Sequence, residues 1–76
     1  MEKPKLLERV SVGMPMHSVR TNLVYHQKMR MTEFGKPSNG FGCFAKFVKG
    51  GNEVTAMFCD GIAYRYLLNG KEVCNE

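Results

Sequence analysis

The side chains that could act in catalysis or bind a metal are few and widely separated along the chain. They are Glu2, Glu8, Glu33, Glu53, Asp60, Glu72, Glu76, His17, His26, Cys43, Cys59 and Cys74. Catalysis by a general base or an activated nucleophile needs two such groups within hydrogen-bond reach, and the spacing brings no pair together. A zinc site usually needs close ligand pairs such as Cys-x-x-Cys, which the sequence lacks. We therefore predict no catalytic residue, no metal site, no cofactor and no enzyme activity.

The cysteines and the N-terminus bear on the cellular compartment. Three cysteines at wide spacing form a poor disulfide framework, so we expect reduced thiols. The first ten residues, MEKPKLLERV, contain no apolar signal core, and no apolar run approaches the roughly 20 residues that span a bilayer. These features predict a cytoplasmic protein without a membrane partner.

The length and charge of the chain limit its size and its class of partner. Its 76 residues suit one small domain, residues 1–76, and a hydrophobic content of 43% is typical of a globular protein. The formal net charge of +4 is spread along the sequence rather than concentrated in a run. Such a charge allows an anionic partner, either nucleic acid or an acidic protein surface.

A β-hairpin within residues 51–73 is the best-defined element. It contains two turn dipeptides, Asp60-Gly61 and Asn69-Gly70. Each can take positive φ at both positions, as a tight type I′ turn requires. The runs on either side of the first dipeptide are rich in β-branched and aromatic residues, which favour strands.

The two-residue turn also predicts the register of this hairpin and therefore its two faces. The expected facing pairs are Cys59 with Ile62, Met57 with Tyr64, and Thr55 with Tyr66. One face, covered by helices, is expected to carry Val54, Ala56, Phe58, Ala63, Arg65 and Leu67. The other face is expected to carry Thr55, Met57, Cys59, Ile62, Tyr64 and Tyr66.

The elements before the hairpin predict the fold class. Apolar residues recur at helical spacing in residues 4–10 and again from Pro15 onward. Strands are expected at Tyr25 to Phe34 and at Phe41 to Val48. The order predicts an α+β domain with two short N-terminal helices packed on one face of a three- to four-stranded antiparallel sheet. An exposed edge of this sheet could also form a homodimer.

Two stretches resemble a known family. Residues 13–19, GMPMHSV, are similar to the "G-M-[ST]-x-x-x-V" start of the second helix in the SmpA/OmlA family. Residues 54–63, VTAMFCDGIA, are similar to that family's "V-x-F-x-[DN]-G-x-[VA]" hairpin. The family shares its layout with β-lactamase-inhibitor-type domains. The resemblance implies a domain that binds another protein and performs no chemistry.

These patterns favour a small protein-binding module, such as an inhibitor, adaptor or regulator of another protein. The predicted binding residues, on the sheet face without helices, are Phe44, Lys46, Thr55, Met57, Tyr64 and Tyr66. Tyrosine and methionine supply adaptable contact area at such a surface. The alternative is a nucleic-acid-binding protein in which sheet aromatics stack on bases while Lys46 and Arg65 contact phosphates. A stand-alone domain of this size would also suit a phage regulator of a host protein.

Overall fold

The computed structural model describes residues 5–36 and 42–73. The elements are a 3₁₀ turn at Lys5–Leu7, helix α1 at Met16–Arg20, a π-helix at Thr21–His26, and strands β1 (Arg30–Gly35), β2 (Cys43–Lys49), β3 (Asn52–Cys59), β4 (Ile62–Leu68) and β5 (Lys71–Val73). The strands pair antiparallel in chain order, so the sheet is a simple five-stranded meander. Phe41 and Cys74, which the sequence analysis discusses, lie outside the described residues.

The antiparallel sheet was expected, but the predicted arrangement of two helices on three or four strands is wrong. The described chain has five strands and one short helical segment of 11 residues, residues 16–26. The first predicted helix is only a 3₁₀ turn, in which the Glu8 and Val10 amides donate to the carbonyls three residues earlier. This turn buries Leu7 and Val10 against the sheet, so the apolar pair reaches the core without a helix.

The helical segment is longer than predicted and displaces the start of the first strand. Val19 and Leu23, four residues apart, are fully buried and hold one side of this segment on the sheet. The last turn of the segment is a wider π-type turn, in which the Gln27 amide donates to the Asn22 carbonyl five residues earlier at 3.0 Å. Lys28 then adopts a φ of 62°, which turns the chain toward β1. The strand predicted from residue 25 therefore begins five residues later.

The N-terminal segment is attached to the sheet along the outer edge of β4. The Gly13 amide donates to the Ala63 carbonyl at 2.8 Å, and the Ala63 amide donates to the Met14 carbonyl at 2.9 Å. The Met16 amide donates to the Gly61 carbonyl at 2.9 Å. Strand β5 pairs with the last three residues of β4, Tyr66 to Leu68, on the same edge. The outer edge of β4 is therefore covered by two different segments of the chain.

The two predicted hairpin turns are confirmed. Asp60 and Gly61 have φ values of 56° and 77°, and Asn69 and Gly70 have φ values of 54° and 85°. Positive φ at both positions is the requirement of a type I′ turn. The predicted pairing of Cys59 with Ile62, next to the first turn, is also confirmed.

Beyond that first pair, the predicted register is wrong because β4 contains a β-bulge. Phe58 pairs with Ala63, but the next residue, Met57, pairs with Arg65 instead of Tyr64. Tyr64 is the extra residue of the bulge. Since Ala63 is buried while Tyr64 and Arg65 are both exposed, the alternation of side chains breaks at this point.

The bulge exchanges the faces of the rest of β4. Tyr66 pairs with Ala56 rather than with Thr55, and it therefore joins the core face. Leu67 pairs with Thr55 and moves to the opposite face together with Arg65. This shift removes the difficulty of the predicted register, which placed the charged Arg65 on the helix-covered side.

The core lies between the helical segment and one face of the sheet. Its buried members are Leu7, Val10, Val19, Leu23, Met29, Ala45, Phe47, Val54, Ala56, Phe58, Ala63 and Tyr66. The sheet contributes alternate residues of β2 and β3, as a period of two requires. The helical side contributes Val19 and Leu23 from the helix and the apolar pair from the 3₁₀ turn. The opposite face of the sheet is thus left for other contacts.

Candidate functional site

The sheet face turned away from the helical segment carries the residues that alternate with the core. We call it the open face; it comprises Phe44, Lys46, Val48, Glu53, Thr55, Met57, Tyr64, Arg65 and Leu67. Most of these side chains are half-buried by their neighbours in the sheet. None of them belongs to the hydrophobic core of the described residues or to the apolar side chains packed against it.

Five of the six predicted binding residues come together on this face. Phe44 of β2 lies directly opposite Met57 of β3, and Lys46 lies directly opposite Thr55. Facing side chains of antiparallel strands have Cβ atoms about 5 Å apart, so the two pairs form one continuous surface. Tyr64 joins them from the bulge of β4, with an exposed fraction of 36%. The surface is aromatic and aliphatic at its centre.

The sixth predicted residue, Tyr66, is absent from this surface because the bulge turns it into the core. It has no exposed area, and its hydroxyl donates a hydrogen bond of 2.9 Å to the carbonyl of Ser11. Burial removes the phenol from water and raises the pKa of Tyr66 to about 12. Tyr66 therefore links the N-terminal segment to the sheet, and its predicted exposure is wrong.

The charges of the open face are arranged in opposite pairs. Lys46 Nζ lies 3.9 Å from Glu33 Oε1, and Arg65 Nε lies 3.2 Å from Glu72 Oε1. Both pairs are about half exposed, so each contributes about 1 kcal/mol or less to stability. Glu53 adds a third carboxylate to the same face. Arg30, which pairs with Val48, adds a third cation, so three cations and three carboxylates leave the face without excess positive charge.

Other classes of site find little support in residues 5–36 and 42–73. These residues contain no group of three or more His, Cys, Asp or Glu side chains that could hold a metal ion. Cys43 and Cys59 are both free thiols and half-buried. None of the helices that the structure describes is both long and apolar enough to cross a membrane.

A second surface feature, which the sequence did not predict, lies on the helix-covered face of the sheet, next to its edge strand β1. It is a groove of about 390 Å³ between α1 and β1, lined by Met16, His17, Arg20, Met31 and Phe34. We call it the edge groove. Strict alternation along β1 would put residue 33 on the same face as Met31, but a bulge between Met31 and Glu33 puts Phe34 there instead. The sequence carries no local signal of this bulge.

Comparison of the chain with protein-family models, with curated proteins and with solved structures found no match. The resemblance of residues 13–19 and 54–63 to the SmpA/OmlA family therefore stays a prediction. The two stretches do meet in the structure, because the Gly13 amide and the Ala63 carbonyl are hydrogen-bonded. That contact gives the two stretches a role in the fold, and it does not test the function that the resemblance implies.

Proposed function

We propose that this protein is a small non-catalytic binding module that docks another protein on its open face. The observation that carries the proposal is the facing pair of Phe44 and Met57, with Tyr64 nearby, on a side of the sheet that no described helix covers. An antiparallel sheet can leave one face to water, but such a face is usually polar. Large apolar side chains there are better explained by a partner.

The chemistry of these side chains suits a protein surface. Phe44 and Met57 offer apolar area, and complete burial of either would contribute about 1.5–3 kcal/mol. Met57 can adapt its shape to a partner, while the phenol of Tyr64 adds a polar group at the border of the apolar centre. An apolar centre within a polar rim is the usual anatomy of a protein–protein interface.

The charge of the open face favours a protein over a nucleic acid. Lys46 and Arg65, the two cations proposed for phosphate contacts, already have carboxylate neighbours. Binding to a phosphate backbone depends on cations that replace counterions, and three carboxylates on the same face would oppose it. A mixed set of charges around an apolar centre can instead be matched by a partner protein.

We further propose that the protein acts in a reducing compartment such as the cytoplasm. The support is that Cys43 and Cys59 are both free, and exposed or half-buried thiols persist in cells mainly where the environment is reducing. The pairing of Cys43 with Phe58 places β2 and β3 in a register in which the two thiols do not face one another. These two thiols are therefore not placed to form a disulfide with each other.

The test is capture of a partner from lysate of the cells that encode the protein, with and without nuclease. We expect a nuclease-resistant partner that Phe44→Ala and Met57→Ala both fail to retain. The matched control is Tyr25→Ala, because Tyr25 is an aromatic residue with an exposed fraction of 67% on the helical side. Capture that nuclease abolishes, or that the two open-face variants leave intact, would contradict the proposal.

A further inference from the structure

The edge groove lies beside the outer edge of a strand, and the two features together form a site for an extended peptide. We propose that an acidic, extended segment of a partner protein adds to β1 as a sixth strand and places alternate side chains in the edge groove. This site is separate from the open face and does not depend on it. Three features of the described residues support this proposal: the outer edge of β1, the apolar lining of the groove and the charge beside it.

The strand edge supplies the hydrogen bonds. β1 is the end strand of the sheet, and its ladder is formed with β2 alone. Among residues 5–36 and 42–73, no backbone group pairs with the outer edge of Arg30–Gly35. An edge strand presents outward-pointing N–H and C=O groups that can bind the backbone of another extended chain.

The groove supplies the contacts that select side chains. Phe34 has an exposed fraction of 54%, which is high for a phenylalanine in a small domain, and Met16 and Met31 complete an apolar lining. In an added strand every second side chain faces the same side of the sheet. Side chains at every second position of the bound segment would therefore enter the groove, where an aliphatic one covers Phe34.

The charge around the groove indicates an acidic ligand. Arg20 and His17 line it directly, and neither has an ion-pair partner among the described residues. Lys36 follows the end of β1, whereas Arg30 pairs with Val48 and lies on the opposite face, as Glu33 does. Residues 9–32 contain no aspartate or glutamate, and Glu33 lies on the opposite face, so Arg20 is the charge that the groove presents to its ligand.

The same charges argue against a second copy of this chain as the occupant. Antiparallel pairing of β1 with the β1 of another molecule would bring Lys28 and Arg30 of one copy next to Lys36 of the other. Like charges facing each other across strands are destabilising. A partner segment whose groove-facing side chains, at every second position, are leucine and aspartate in turn avoids this repulsion, covers Phe34 and reaches Arg20.

The probe is a synthetic acetylated octapeptide in which leucine and aspartate occur in turn at every second position, with threonine between them. Titration into the full-length ¹⁵N-labelled protein should give saturable shifts of the Thr32 and Phe34 amides, with a dissociation constant below about 1 mM. Arg20→Glu and Phe34→Ala should each weaken binding about tenfold. The matched control Lys71→Glu, on the far edge strand, should change binding by less than about twofold.

Two further controls separate strand addition from other modes of binding. The same peptide with alternate amides N-methylated loses the donors of the ladder and should not bind; equal binding would overturn the proposal. Absence of saturable shifts at millimolar peptide, or shifts centred on Met57 and Leu67 of the open face, would overturn it too. A peptide-free dimer in sedimentation equilibrium that Phe34→Ala abolishes would show that a second copy occupies the groove, which would also refute an acidic partner segment.

Discussion

The buried hydroxyl of Tyr66 allows a sharp test of the bulge that sets the two faces of the sheet. Tyr66→Phe removes the donor to the Ser11 carbonyl at 2.9 Å and leaves the ring in place. The change leaves that half-buried carbonyl without its hydrogen bond, so we expect a loss of about 1–2 kcal/mol in the free energy of unfolding at neutral pH. In a domain of this size each kcal/mol lowers the melting temperature by about 4–8 °C. Urea denaturation and thermal denaturation, both followed by circular dichroism, measure the free energy of unfolding and the melting temperature respectively.

The pH dependence of the same variant gives an independent check. Burial raises the pKa of Tyr66 to about 12, from an ordinary value of 10.0. The unfolded chain therefore releases the phenol proton at lower pH than the folded protein, and above the ordinary pKa the unfolded state binds fewer protons. The stability that the neutral phenol contributes is complete below about pH 10 and is lost as the pH rises through about 12.

The size of this loss predicts where the two proteins become equally stable. At about 1.4 kcal/mol per pKa unit, Tyr66 costs the wild type about 1.4 kcal/mol by about pH 11, a loss that Tyr66→Phe does not share. The stability curves should therefore converge and meet near that pH. Tyr25→Phe, at an exposed tyrosine, serves as the control and should follow the wild type throughout. Parallel curves, or a neutral effect of Tyr66→Phe at pH 7, would refute the burial of the phenol and with it the position of the bulge.

Three further predictions concern the turns and the thiols. Gly61→Val should lower the free energy of unfolding by more than about 1 kcal/mol, because a β-branched residue resists the positive φ of the turn; an unchanged urea midpoint would contradict this. Gly42→Ala should cost at least about 2 kcal/mol, because its Cβ would collide with a carbonyl oxygen of β3; Gly50→Ala has positive φ but open space and should cost less, and the reverse order would contradict the packing. Alkylation of the denatured protein without reductant should label all three cysteines; a mass short of two labels would reveal a disulfide.

The part of the fold that the sequence predicts well is the part determined by local chemistry. The Asp60-Gly61 turn needs positive φ at two adjacent positions, and few residue pairs other than such a dipeptide accept it. The turn then determines its nearest pair, Cys59 with Ile62. The central site residues Phe44 and Met57 also follow, because strict alternation holds along β2 and β3.

The remainder depends on contacts between distant parts of the chain. The bulge at Tyr64 allows Tyr66 to enter the core and reach Ser11, which no local pattern around β4 could indicate. One signal was available: the predicted register placed Arg65 on the covered face, and a buried, unpaired arginine is costly. The helical segment likewise continues to residue 26 because Leu23 packs on the sheet, so tertiary contact prevails over the strand propensity of the residues after it.

The attachment of the N-terminal segment to the outer edge of β4 has a consequence for the order of folding. Every strand pairs with its neighbour in the chain, so the meander can grow by short loop closures. The bonds that join Gly13 and Met14 to Ala63 close one of the longest loops in the described chain, and closing a long loop is entropically costly until the strand that receives the segment exists. The hairpin of β3 and β4 should thus form first, and the N-terminal segment should dock last. In native-state hydrogen exchange, the Gly13 and Met16 amides should therefore open more readily than those of β3.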